Sequence, residues 1–445
     1  MKLIYDIEDK PRFGQVLIFA LQQMLAIMAA TLVVPVLVNA YGAVDLQMDI
    51  AAALMGAGFG TITYLLFTRG KSPVFLGSSF AFLGSMYAAT AFGYFGIITG
   101  AILAGLVYVI IAIAIKACGT KWIDKLMPPI IIGPTVALIG LSLAGSAVGD
   151  LTKSSVSGEY SLIAILCGLI TLATVIICSV YGKKMAKLIP FILGILAGYA
   201  AALIFTLIGN ATGNDALKIL NYSALQALDF GSASGWFHVP SFAFLNASKE
   251  NFDWASIGSL AVLYMPVAFV VFAEHIADHK NLSAIIGRDL VSGEPGLCRT
   301  LLGDGVGSMV GAFFGGCPNT TYGESIGCVA ITGNASVVTI LAAAVGCVIL
   351  SFFAPFVAFV NTIPSCVMGG VCVALYGFIA VSGLRMFKHI DLDDNRNLFV
   401  VATILITGIG GLNLQFGKIT ITNIAAALIL GILVNVLVSR KGKAQ

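Results

Sequence analysis

From Phe13 to Ser439 the chain passes through one apolar stretch after another, with charges confined to the gaps between them. A helix that crosses the hydrocarbon core needs roughly 20 mostly apolar residues. At that depth only helices or closed barrels satisfy every backbone polar group. Of the 445 residues 59% are hydrophobic and 10% charged, with a mean hydropathy of +1.00, where a soluble domain carries about a quarter charged residues. The pattern predicts an all-α polytopic membrane protein.

Fourteen crossings are expected, roughly at 14–39, 50–67, 73–89, 92–115, 127–147, 160–181, 188–209, 256–276, 302–315, 320–333, 335–360, 365–383, 397–411 and 420–438. With the N-terminus inside, only Lys153, Lys218, Lys249 and Lys418 of the 24 Lys and Arg fall on the outer side. That bias follows the positive-inside rule, and it predicts an even helix count with both termini cytoplasmic, in the plasma membrane. The first apolar run is too long for a signal peptide and lacks a clear small-residue cleavage site. Cys167, Cys178, Cys347, Cys366 and Cys372 lie within apolar helices and no CxxC pair occurs, so the cysteines read as small packing residues. Among four histidines only His275 and His279 stand one helical turn apart, and no structural metal is expected.

The polar interval 210–255, with Asn210, Asn214, Asp229 and Asp253, falls outside the membrane and divides the chain into two seven-segment halves. Seven is odd, so the second half lies inverted relative to the first, a common transporter plan. Pro128 to Gly133 (PPIIIG) echoes Pro364 to Gly369 (PSCVMG). In the third segment Gly77-Ser78-Ser79 parallels Gly323-Glu324-Ser325 in the tenth, each in a short hydrophobic stretch beside a proline, Pro73 or Pro318. Matched, interrupted segments point to a binding site. Their unwound backbone would offer N–H and C=O groups to a ligand, with Gly77 and Gly323 allowing close approach.

Four acids interrupt apolar surroundings: Glu274, Asp278, Asp304 and Glu324. An acid near the bilayer centre costs roughly 2.5–3.5 kcal/mol and is a functional candidate by default. Glu274 closes the run SIGSLAVLYMPVAFVVFAE, and Asp278 follows one turn later on the same helix face. Asp278 also reads as a solvated helix end, and Asp304, in a GDG triplet, reads equally as a packing residue. His275 points about 100° away from Glu274 and reads as a supporting residue. Carboxylates accept hydrogen bonds, so Glu274 and Glu324 converging from opposite halves call for a ligand with N–H donors. No Lys or Arg accompanies them within the membrane, which argues against an anionic substrate. A small planar heterocycle with N–H and C=O edges fits. Burial disfavours the charged form of a carboxyl group, so one of these acids is expected to exchange a proton in each cycle.

At these residues the sequence closely resembles the nucleobase–ascorbate transporter family (nucleobase:cation symporter-2), and within it the bacterial uracil permeases. The matching stretches are LQQMLAIMAATLVVPVLVN (21–39), GSSFAFLG (77–84), PPIIIGPTVALIGLSLAG (128–145), AEHIAD (273–278), PNTTYGESIGCVAIT (318–332) and IPSCVMGG through LYGFIAVSGLR (363–385). The resemblance extends over nearly the whole chain. It implies fourteen transmembrane segments in two inverted seven-segment repeats, with short strands in segments 3 and 10. It implies a core domain from 14–115 and 256–360, a gate domain from 127–209 and 365–438, and an extracellular loop at 210–255.

The resemblance further implies a secondary transporter that imports a nucleobase, uracil first, by proton symport with alternating access and no cofactor beyond the proton gradient. Glu274 and Glu324 would bind the base, backbone at Phe80 and Gly323 would hydrogen-bond its edge, Tyr322 would line the site, and Tyr376 would approach from the gate. Glu274, Asp278, Glu324 and Gln23 are the proton-coupling candidates. The sequence departs from the family pattern at Gln23, where uracil permeases carry His, at Asp278, where some carry a second His, and at Ser325, in place of Asn. Glu324 rather than Gln favours the pyrimidine branch. The alternatives are a purine (xanthine or urate) permease and an anion transporter of the same fold. The latter calls for a basic residue within Gly77–Gly84 or Tyr322–Thr332, and neither has one. A membrane enzyme would need a nucleophile–base pair or metal cluster, and the chain is not expected to be one. Membrane lipid is an expected partner, nucleic acid is not, and a homodimer is left open.

Overall fold

The computed structural model describes residues 3–43, 46–119, 122, 128–183, 185–250, 254–416 and 419–439. Lys2, Lys121, Lys125, Lys184, Lys418, Arg440, Lys441 and Lys443, which enter the charge reading above, and Asp253 of the polar interval lie outside these residues.

In the first half the apolar runs form α1 (Phe13–Tyr41), α2 (Ile50–Phe67), β1 (Leu76–Ser78), α3 (Leu83–Ala89), α4 (Gly93–Cys118), α5 (Pro129–Ser142), α6 (Ala144–Thr152), α7 (Leu162–Tyr181) and α8 (Pro190–Thr212). In the second half follow α9 (Ile257–Ile286), α10 (Leu297–Gly315), β2 (Asn319–Thr321), α11 (Gly323–Thr332), α12 (Val337–Leu350), α13 (Ala354–Asn361), α14 (Ser365–Arg385), α15 (Asn395–Ile409), a hairpin of β3 (Leu414–Phe416) and β4 (Ile419–Ile421), and α16 (Asn423–Ser439). Among the described residues eight helices are long and apolar enough to cross a membrane, while α12, α15 and α16 are apolar but shorter. The third and fourth expected segments join in one apolar run, Phe80–Cys118. The chain bends within it at Gly93, whose φ of +68° suits a residue without a Cβ. Glu250 caps the new helix there, accepting N–H bonds from Tyr94 and Phe95 at 3.0 and 2.9 Å.

Two seams of backbone contact join the halves. A Cβ on Gly56 of α2 would lie 2.4 Å from the Gly311 carbonyl oxygen of α10, and one on Gly140 of α5 would lie 2.3 Å from the Tyr376 carbonyl oxygen of α14. Where lipid supplies no hydrophobic drive between helices, such close approach is what holds them. Large apolar side chains that the bundle leaves uncovered, such as Leu166, Leu169, Ile176 and Ile177 of α7, form a face suited to lipid.

The two strands sit in the interior, fully buried, and pair antiparallel with Leu76 opposite Thr321, Gly77 opposite Thr320 and Ser78 opposite Asn319. The Ser79 N–H bonds the Pro318 carbonyl at 2.9 Å, and the Tyr322 N–H bonds the Phe75 carbonyl at 3.2 Å. The short strands thus lie where the third and tenth segments were expected to be interrupted. The sequence alignment of the two interruptions is corrected by three residues: Phe80, two residues past β1, occupies the place that Gly323 occupies past β2.

Candidate functional site

A cavity of about 500 Å³ lies beside the paired strands. One wall is built from Glu274 and Asp278 of α9, Thr320 and Thr321 of β2, Tyr322, Gly323 and Glu324 at the start of α11, and Ser79 and Phe80 past β1. The other wall is apolar, with Val136 and Ile139 of α5, Phe191 of α8 and Leu375, Phe378 and Ile379 of α14. The four-residue spacing puts Glu274 and Asp278 on one face of α9. Both are half-buried, as is Glu324, so each carboxyl keeps an opening to the cavity. Thr321 donates to Asp278 Oδ2 at 2.7 Å and ties α9 to β2.

The first N–H groups of a helix have no partner within it and carry partial positive charge. At α11 this end opens on the cavity, because a Cβ built on Gly323 meets nothing within 4 Å. The wall therefore presents carboxyl acceptors and backbone donors together, which suits a ring with both N–H and C=O edges.

The other glycine acts differently. A Cβ on Gly77 would lie 2.4 Å from the Tyr322 ring and 2.9 Å from Thr31 Oγ1, so Gly77 admits a protein side chain and not a ligand. Tyr322 lies over β1 and donates to the Ser78 carbonyl at 2.8 Å. Tyr376 is buried and does not line the cavity; its ring meets Phe80 edge-on at 5.6 Å. Gln23 is also off the cavity, 2% exposed, and its Nε2 donates to Ser325 Oγ, which also accepts the Phe75 N–H at 3.0 Å. An amide bonded in this way holds α1, β1 and α11 in register and carries no titratable proton.

Behind α9 runs a second polar set. His275 Nδ1 lies 2.7 Å from Asp304 Oδ2 and its Nε2 lies 3.0 Å from Thr300 Oγ1. His279 pairs with Tyr64 OH at 2.7 Å, and Tyr64 donates to Ser72 at 2.7 Å. These groups join α9 to α10 and α2 and do not line the cavity.

Two lining residues escaped sequence reasoning. Lys187, just before α8, and Arg385, at the end of α14, stand at the far end of the same cavity, both exposed. The claim that no cation accompanies the acids holds near the strands but not for the cavity as a whole. At the opposite end, Tyr41 of α1 donates to Asp150 Oδ1 of α6 at 2.8 Å and packs against the Tyr87 ring. The cavity thus reaches the end where Lys187 and Arg385 lie and is bridged over at the other.

Membrane-length helices around a pocket of half-buried acids, built on broken helices, define a polytopic membrane carrier. Comparison with known proteins agrees, and the chain belongs to the permease family (Xan_ur_permease), which it matches over residues 14–416. It is an integral membrane protein of a transporter family and not of an enzyme family. The chain is 39% identical to the uracil permease of Bacillus caldolyticus, over 100% of this chain and 96% of that protein. It is 37% identical to the uracil permease of Bacillus subtilis (strain 168), over 100% and 97%. It is 32% identical to the putative pyrimidine permease RutG of Escherichia coli (strain K12), over 98% and 92%. Among solved structures, the transmembrane domain of the cyanobacterial bicarbonate transporter BicA superposes with a TM-score of 0.60 at 14% identity, covering 97% of this chain and 99% of that one. The murine anion transporter Slc26a9, in an inward-facing state, gives 0.65 at 11%, covering 97% and 69%. At such identities these two speak for the fold alone.

Proposed function

We propose that the chain imports uracil across the plasma membrane by proton symport, with Glu274 and Glu324 as the main ligands of the base. The observation that carries this reading is that the two carboxyl groups, 50 positions apart and from separate helices, reach one cavity beside the open N-terminus of α11. In that frame the carboxylates accept the ring N–H groups while backbone at Gly323 and Phe80 meets the carbonyls. Tyr322 shapes the floor, and Tyr376 supports Phe80 from behind, ring edge against ring. Asp278 and Glu324 are the groups through which a proton would pass with the base. The names of the full-length relatives favour uracil over a purine.

The larger plan follows the same proposal. Fourteen crossings in two inverted repeats would place both termini in the cytoplasm. Segments 14–115 and 256–360 would form a core that carries the acids, 127–209 and 365–438 a gate that supplies the apolar wall, and 210–255 an external loop. Alternating access is then movement of one unit against the other around a fixed site. A nucleobase binding panel on the purified protein tests the substrate: saturable uracil binding with xanthine a poor competitor is expected. Binding of xanthine but not uracil would overturn it.

A further inference from the structure

The cavity is bipolar. Its deep end carries three acids, and its far end carries Lys187 and Arg385. Among the described residues neither cation takes part in an ion pair, although Lys71, Lys218 and Arg288 do. A neutral base held at the deep end has no use for them. The space is also generous: about 500 Å³ lies in the range of pockets that hold drug-sized ligands, far more than one six-membered ring fills.

Basic residues at inner helix ends follow from topology alone, and that would explain cations turned toward lipid headgroups. These two line the same cavity as the acids, with Ser382, one turn before Arg385, lining it as well. Guanidinium forks and ammonium groups are the usual holders of phosphate. The α11 residues that line the cavity beyond Glu324, namely Gly327, Cys328 and Ile331, carry no charge to compete.

We propose that this far arm is an anion subsite, and that the whole cavity accepts a pyrimidine nucleoside monophosphate from the inner side. Its base occupies the acid end, its sugar lies against Phe378 and Ile379, and its phosphate sits between Lys187 and Arg385. The ligand is too large and too charged to be carried. It holds the cavity open to the inside and stops transport when the phosphorylated form of the base accumulates. The inference rests on the uracil reading of the deep end.

The test is displacement of radiolabelled uracil from the full-length purified protein by uridine 5′-monophosphate, uridine and inorganic phosphate. The monophosphate is expected to displace uracil at least roughly tenfold better than uridine, and phosphate alone is expected not to displace it. In Lys187→Ala and Arg385→Ala the uracil affinity stays within about twofold while the monophosphate loses roughly tenfold or more, with Arg385→Lys intermediate. Uracil binding in the same samples reports that each variant is folded. In proteoliposomes the monophosphate inhibits only when it faces the Lys187 side. Equal competition by uridine and its monophosphate, displacement by phosphate alone, or monophosphate binding unchanged in the Lys187→Ala/Arg385→Ala double variant would each overturn the subsite. Loss of uracil binding by the unaltered protein would instead overturn the function proposed above.

Discussion

At the scale of single residues the cavity is a balance between acceptors and donors. A hydrogen bond to a charged group contributes about 1.5–3 kcal/mol and a neutral one about 0.5–1.5. Glu324→Gln keeps the shape of the side chain and removes the charge, so uracil binding should weaken at least roughly tenfold while the protein still inserts. Glu274→Ala should be at least as damaging, and near-normal uptake by either variant would remove that residue from the site. Titration calorimetry or radioligand binding measures both.

The acids were readable in the sequence because an apolar run makes any carboxyl conspicuous. Lys187 and Arg385 were not, because topology already accounts for basic residues at inner helix ends. Gln23 drew notice as a departure from a family pattern, yet its partner Ser325 lies 302 positions away. Only the folded chain reveals that the two departures touch each other. Gly77 misled because a glycine beside a site can serve a ligand or a neighbouring ring, and sequence does not distinguish them.

At the scale of elements, the strands and the bridge at the closed end set what moves. The interruption of two hydrophobic segments was foreseeable from Gly, Ser and Pro; the three-residue offset between them was not, since strand register depends on which backbone groups meet. Tyr41 and Asp150 join helices α1 and α6 that belong to the proposed core and gate. Tyr41→Phe deletes that hydrogen bond with little change of shape. The outward-facing population should rise, seen as faster modification of a cysteine placed along the outer side of α3.

At the start of α2, Asp49 caps the helix and accepts hydrogen bonds from the Ala51 and Ser241 N–H groups and from His238 Nε2, at 2.8, 2.6 and 3.1 Å. Burial opposes its ionisation, but these bonds prevail and hold its carboxyl below the ordinary range. A depressed value in the folded state means stabilisation that is complete above the unfolded value, near about pH 4, and lost as pH falls below it. Hydrogen exchange at the Ser241 amide should therefore be flat from about pH 6 to 8 once intrinsic rates are removed, and protection should fall below about pH 4. In Asp49→Asn the protection should be low at every pH.

At the scale of the whole molecule, proton symport predicts that uracil uptake into proteoliposomes follows the pH difference even when the electrical potential is clamped. A rate indifferent to that difference would exclude coupling. The apolar runs and the scarcity of charge made the membrane class readable before any coordinates. What the sequence left open was the packing of apolar helices shorter than a full span, because α12, α15 and α16 gain their place from neighbours rather than from length. The N-terminal segment is held in the same way: the Ile4 and Tyr5 N–H groups bond the Gly333 carbonyl, and Arg288 bonds Asp6 and Glu8.

The β1–β2 ladder also bears on how such a chain is made. Leu76–Ser78 leaves the ribosome long before its partner Asn319–Thr321, and at about 5–20 residues per second the wait is roughly 10–50 s. Through that interval its peptide groups have no ladder to join, and each costs several kcal/mol if left bare in lipid. The nascent first half must therefore be sheltered by water, translocation machinery or other protein until the second half arrives, and a chain stopped before Asn319 would lack one wall of its binding site.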